Sequence, residues 1–161
     1  MSSRRLIWIA AVFAALLAWP TAAKEDVTFR GHWEGSTVSA VFLSPTVVFV
    51  VSSGSGNATH LGNFQMTTPH LSFLDTLQIL GTQDFTAANG DTVHAEISGG
   101  LAPTPDGNLE GTLEGVITGG TGRFAGATGS YDFHLVARPA AFGFDSEATI
   151  EGTISSPGAN K

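Results

Sequence analysis

The 161-residue chain contains no cysteine. No disulfide can staple it, although small exported domains commonly rely on such staples, so a folded domain here must be held by apolar burial and backbone pairing. Positive charge is scarce: seven Lys and Arg stand against fourteen Asp and Glu, for a formal net charge of −7. Apart from Arg4 and Arg5, the basic residues Lys24, Arg30, Arg123, Arg138 and Lys161 are scattered. An acidic chain with no basic cluster argues against nucleic acid and anionic membrane surfaces as partners, and its charge reads as solubility. No long apolar run follows residue 20, so no membrane span is expected once the N-terminal segment is removed. There is no linker, low-complexity tract or strict internal repeat.

Motifs for chemistry are also sparse. His32, His60, His70, His94 and His134 form no His-x-His or His-x-x-x-His pair, so no metal is expected. No Gly-x-Ser-x-Gly elbow appears, because Gly54-Ser55-Gly56 lacks the spacing. Glu110, Glu114, Glu147 and Glu151 recur at strand spacing but on a wet face. Solvated carboxylates of ordinary acidity make poor general acids. The sequence therefore nominates no catalytic residue and no cofactor. Asn57-Ala58-Thr59 is a glycosylation sequon, meaningful only in a eukaryotic secretory route.

At the N-terminus, Arg4 and Arg5 precede a nearly unbroken apolar stretch from Leu6 to Trp19. Pro20 breaks it, and Thr21-Ala22-Ala23 supplies small residues for cleavage. That order is a secretory leader over residues 1–23, too short for a comfortable membrane span. An uncleaved anchor is the alternative, and Ser3-Arg4-Arg5 loosely resembles a twin-arginine signal. The expectation is a secreted protein, periplasmic or extracellular, with one domain over 24–154 and a disordered tail over 155–161.

Within that domain the hydrophobic period is two. Leu109, Gly111, Leu113, Gly115, Ile117 and Gly119 share one face of a segment whose other face carries Glu110, Thr112, Glu114 and Thr118. Phe142, Phe144, Ala148, Ile150 and Ile154 alternate likewise with Asp145, Glu147, Glu151 and Thr153. One dry and one wet face describe an antiparallel sheet buried on a single side. Strands are expected at about 27–39, 46–52, 58–68, 80–87, 91–101, 108–119, 129–138 and 142–154. Asn89-Gly90-Asp91 is a strong hairpin signal. Leu71 to Leu80 reads as a helical or irregular insert, because Leu74, Leu77 and Leu80 have nearly helical spacing. Thr46 to Val51 is apolar on both sides and implies cover on both faces, by a loop or a neighbouring subunit. Eight antiparallel strands are enough to close, so the reading is an all-β, eight-stranded antiparallel barrel, with a β-sandwich as the alternative. Inward glycines, including Gly31, Gly35, Gly62, Gly115 and Gly152, suit a strongly coiled sheet.

One segment is too rich in glycine for a helix: Gly119-Gly120-Thr121-Gly122-Arg123-Phe124-Ala125-Gly126-Ala127-Thr128-Gly129. It reads as a compact turn with Phe124 as an apolar plug. Gly120-x-Gly122-x-x-Ala125 formally matches a dinucleotide fingerprint, but Gly126 and Gly129 interrupt the helix that motif needs. The pattern Gly-Gly-Thr-Gly-x-Phe followed by a small-residue turn resembles the allene oxide cyclase and dirigent barrel superfamily. Ala58 to Phe64 and Phe85 to Asp91 resemble strands of its bacterial cyclase-like members. The resemblance implies an eight-stranded barrel with a hydrophobic cavity, often trimeric, and a cyclase-type isomerase or lyase activity in some members. Without cysteine, any cysteine contribution to such a site is absent.

The candidate interior residues are Phe29, Trp33, His60, Phe64, Tyr131, Phe133, Phe142 and Phe144. They either line a ligand cavity or fill the barrel, since eight strands enclose about what side chains can plug. His60, sharing a face with Phe64 and Met66, is either a polar anchor in the cavity or a hydrogen-bonded core residue. The favoured reading is a non-enzymatic barrel that binds a small hydrophobic molecule or serves as an interaction module. The alternatives are a cofactor-free cyclase-type enzyme acting in the cavity and an oligomeric envelope protein joined through Thr46 to Val51.

Overall fold

The structure is a computed structural model that describes residues 25–155. The expected leader, 1–23, and the tail after Ser155 lie outside the described residues. Ser155 itself, read from the sequence as tail, is buried as the last residue of the final strand.

Eight strands follow in order: β1 Asp26–Ser44, β2 Val47–Ala58, β3 Gly62–Phe73, β4 Gln78–Ala87, β5 Thr92–Pro103, β6 Leu109–Gly120, β7 Gly129–Pro139 and β8 Phe144–Ser155. Each pairs antiparallel with its sequence neighbour, and β8 pairs with β1, so the sheet closes into a barrel. Closure gives every strand a partner on both sides over at least part of its length and excludes the sandwich. Between β6 and β7 a single 3₁₀ turn spans Gly122–Phe124. Among the described residues no helix is long and apolar enough to cross a membrane.

The helical reading of Leu71 to Leu80 is wrong. Leu71 and Leu80 pair across the β3–β4 hairpin, as do Phe73 and Gln78. The tight turn between them, where Leu77 takes φ +55, resets the alternation and leaves leucines three apart. A reset also explains His60. It sits at φ +65 in the β2–β3 turn, a conformation histidine tolerates better than most residues, and it is exposed; Leu61 is buried in its place. Thr59 ties this turn to β1 by donating to the Thr28 carbonyl (2.8 Å) and accepting from the Arg30 N–H (2.9 Å). Gly62, expected inside, is exposed.

The strands follow the period of two except at register shifts, of which the first in β1 bears on the interior. β1 carries a bulge at Val38, between the pairs Thr37↔Ser52 and Ser39↔Val51. Before it, odd-numbered Phe29, Trp33 and Thr37 face inward; after it, even-numbered Ala40 and Phe42 line the interior. The run Thr46 to Val51 divides in the same way, with Val48 and Val50 inside and Phe49 exposed outside.

One end of the barrel is solid. Phe29, Phe64, Phe85 and Tyr131 meet edge to face, with ring centroids 5.3–6.2 Å apart. Inward glycines make the slots for such rings: a Cβ on Gly115 would lie 2.2 Å from the Tyr131 ring, and one on Gly35 would lie 2.2 Å from the Trp33 indole. Phe124, Leu61 and Ala127 join this cluster, all buried.

Candidate functional site

The other end of the barrel is hollow. Beyond Ser36↔Asp145 strand β1 parts from β8, yet it stays paired with β2 as far as Ser44↔Val47. The β1–β2 hairpin thus rises past the β8 side and shapes a mouth. Below it lies a cavity of about 410 Å³, within the usual range for small-molecule pockets. Its walls are aliphatic, including Ile79, Ile97, Leu101, Leu113 and Leu135. At the mouth stand Phe42, 69% exposed, Leu74 and the half-buried Phe144. The deep side is formed by Trp33, Phe133, Thr68 and Gln83, all nearly inaccessible. Trp33 and Phe133 stack obliquely with centroids 5.8 Å apart.

Gln83 and Thr68 are neighbours across β3–β4. The ladder runs through Thr67↔Asp84 and resumes at His70↔Gly81, which sets Thr68 opposite Gln83 beside the interruption at Pro69. Tyr131 donates its hydroxyl hydrogen to Gln83 Oε1 at 2.6 Å. Burial pushes the Tyr131 phenol far above its ordinary acidity range, so it remains a neutral donor. His70, also in the lining, donates from Nδ1 to the Thr68 carbonyl at 3.0 Å. Burial lowers its pKa, and the backbone bond offsets this in part; the shift favours the neutral imidazole, whose Nε2 is then an acceptor. Among the described residues no Asp, Glu, Lys or Arg lines the cavity.

Of the residues nominated from sequence, Trp33, Phe133 and Phe144 line this cavity. Phe29, Phe64 and Tyr131 belong to the aromatic plug beneath it. His60 and Phe142 are outside: Phe142 lies in the β7–β8 turn and is 55% exposed, because β8 begins only at Phe144. In the glycine segment, Gly119 and Gly120 end β6, Gly122 and Phe124 lie in the 3₁₀ turn, Gly126 follows, and Gly129 opens β7. This turn sits at the plugged end; Gly122 packs on Asp91, whose carboxylate accepts from the Arg123 N–H (3.3 Å).

Sequence reasoning passed over Thr68, His70 and Gln83. All three were within reach, since Thr68 and His70 continue the Phe64–Met66 phase and Gln83 precedes Phe85 by two. Phe42 was hidden by the bulge. On the outer wall, His94 pairs with Asp84 (2.6 Å), His134 with Thr112 (2.8 Å) and Arg138 with Glu147. Among the described residues no group of three or more His, Asp or Glu is placed to hold a metal.

No family model matches the chain, and no curated protein matches it by sequence. Solved structures do. The pterocarpan synthase dirigent protein GePTS1 superposes with a TM-score of 0.55 at 12% identity, covering 89% of this chain and 92% of its own. The pterocarpan synthase dirigent protein PsPTS1 gives 0.53 at 11% identity, covering 84% and 97%. The barrel is therefore a dirigent-like fold. The match does not reach the allene oxide cyclase family in particular.

Proposed function

We propose that this protein is an exported barrel that binds a small, mainly apolar molecule in the cavity above the aromatic plug. The observation that carries the reading is an interior of about 410 Å³ with aliphatic walls, no charged lining residue among the described residues and a mouth ringed by exposed apolar side chains. Enclosing an apolar molecule there is favourable by about 25 cal/mol for each Å² of apolar surface removed from water, the main term available to such a site. Structural neighbours named as dirigent proteins and pterocarpan synthases support a barrel that handles small molecules. The leader pattern over 1–23 is the basis for export in this reading.

The direct test is native mass spectrometry of the purified protein, followed by titration with an apolar fluorescent probe. Binding is expected in the wild type and is expected to be lost in Ala137→Phe, which fills the cavity from a buried lining position. Equal probe binding by both proteins would place the probe elsewhere and overturn the reading.

A second reading, cyclase-type isomerisation of an apolar substrate, draws on His70. Among the described residues it is the one ionisable side chain of the lining, and a neutral imidazole with an open Nε2 is fitted to take a proton. Turnover that survives His70→Gln would remove it. Assembly of several copies remains part of the proposal through outward Phe49 and its neighbours, rather than Val48 and Val50, which face the cavity.

A further inference from the structure

Three polar groups are left over by an apolar cavity. Trp33 Nε1, Thr68 Oγ1 and Gln83 Nε2 are buried, and none has a hydrogen-bond partner among the described residues. All three residues line the same cavity, at its deep side. Buried polar groups are satisfied in the great majority of cases, so three orphans around one space ask for a common explanation.

Their chemistry has one sign. The indole N–H only donates. Gln83 has its oxygen engaged by Tyr131, which leaves its NH₂ as a donor. The Thr68 hydroxyl rotates and donates as readily as it accepts. The missing partner is thus an acceptor with more than one lone pair. Its charge is also constrained. Among the described residues no Lys or Arg lines the cavity, and His70 spends its Nδ1–H on the Thr68 carbonyl. A carboxylate buried here would lose its hydration with no cation to replace it.

We propose that the cavity selects an apolar molecule bearing an uncharged carbonyl oxygen at its buried end, received by the Trp33 and Gln83 N–H groups with Thr68 beside them. The inference rests on the binding reading above. Each donor is covered by neighbouring atoms, so seating the oxygen requires the side chains that cover Trp33 Nε1 and the Gln83 NH₂ to shift aside, with the Tyr131–Gln83 bond kept.

The test uses the purified protein and four ligands of equal chain length: a methyl ketone, the alkane, the secondary alcohol and the carboxylate. Affinities are measured at neutral pH by calorimetry for wild type, Trp33→Phe and Thr68→Val. The infrared carbonyl stretch of the bound ketone is recorded in parallel. Losing one such hydrogen bond should weaken ketone binding by roughly five- to tenfold and leave alkane binding within about twofold. The ketone stretch should fall below its value in hydrocarbon solvent and move back toward it in the variants, and the carboxylate should bind more weakly than the ketone. A stretch at the hydrocarbon value, equal losses for ketone and alkane, or preference for the alcohol or carboxylate would overturn the carbonyl assignment and leave apolar binding standing. Failure of both ketone and alkane to bind would overturn the binding reading and this one with it.

Discussion

Tyr131, on β7, spans the barrel to donate its hydroxyl to Gln83 on β4 at 2.6 Å. The bond joins strands that are not neighbours, at the level where the packed rings end and the cavity begins. It fixes the Tyr131 ring against Gly115 and holds the Gln83 amide in place. A hydrogen bond between two buried side chains thus marks the boundary between the solid and hollow halves.

Tyr131→Phe leaves Gln83 Oε1 without a partner, and Gln83→Leu leaves the phenol without one. Each is expected to destabilise the fold by about 1–3 kcal/mol. The double variant orphans neither group, so its loss should be clearly smaller than the sum of the singles. Urea unfolding of the four proteins measures the coupling, and strict additivity would show that the bond contributes nothing.

Gly122 and Gly107 separate two effects in turns. Both take positive φ, +57 and +84. A Cβ at Gly107 meets nothing, whereas one at Gly122 would lie 1.8 Å from Asp91 Oδ1. Asp91 could yield only by giving up its bonds to Asn89 (2.9 Å) and Arg123. Gly107→Ala should cost about 1 kcal/mol from backbone strain, and Gly122→Ala about 1–3 kcal/mol more. Equal melting temperatures for the two variants would contradict the packing of Asp91 on this turn.

His70 gives a pH signature of definite sign. Burial lowers its folded pKa below the unfolded value of 6.5. Between those two values the unfolded chain binds more protons, so stability falls as pH drops through that window and stops falling below it. His70→Gln lacks this term. The stability of wild type relative to His70→Gln should decrease on going from neutral pH to below 6.5. A difference that stays flat, followed by denaturant titration at each pH, would show that His70 does not sit in a desolvated site.

Phe42 tests whether the mouth serves binding rather than folding. It is 69% exposed and stands at the cavity rim. Phe42→Ser should alter unfolding free energy by no more than about 0.5 kcal/mol. Apolar probe affinity should nevertheless fall several-fold. A large stability loss with unchanged binding would reverse the roles assigned to the rim.

Much of this architecture was legible beforehand because a closed sheet repeats one local rule. Leu109 to Ile117 shows its inner and outer faces directly, and Asn89-Gly90 marks its hairpin. The rule fails wherever a residue is inserted between strands or within one. The turn at His60 shifted it to the surface, the β7–β8 turn did the same to Phe142, and the Leu74–Leu77 turn mimicked a helical period. The bulge at Val38 reversed β1 and concealed Phe42. The cavity was less legible than the fold for a different reason. Whether inward side chains meet or leave room depends on strand offsets, such as β1 outrunning β8, that no single strand encodes. The polar residues of the deep side were obscured by composition, since Thr82-Gln83-Asp84 looks like solvent-facing sequence until its phase with Phe85 is followed.

Because the ring cluster and the hollow occupy opposite ends, the two halves are free to diverge independently. Residues around Phe42, Leu74 and Phe144 can be exchanged without disturbing the contacts among Phe29, Phe85 and Tyr131. Changes at the rim alter the shape of the mouth alone, while changes in the ring cluster act on the stability of the whole barrel.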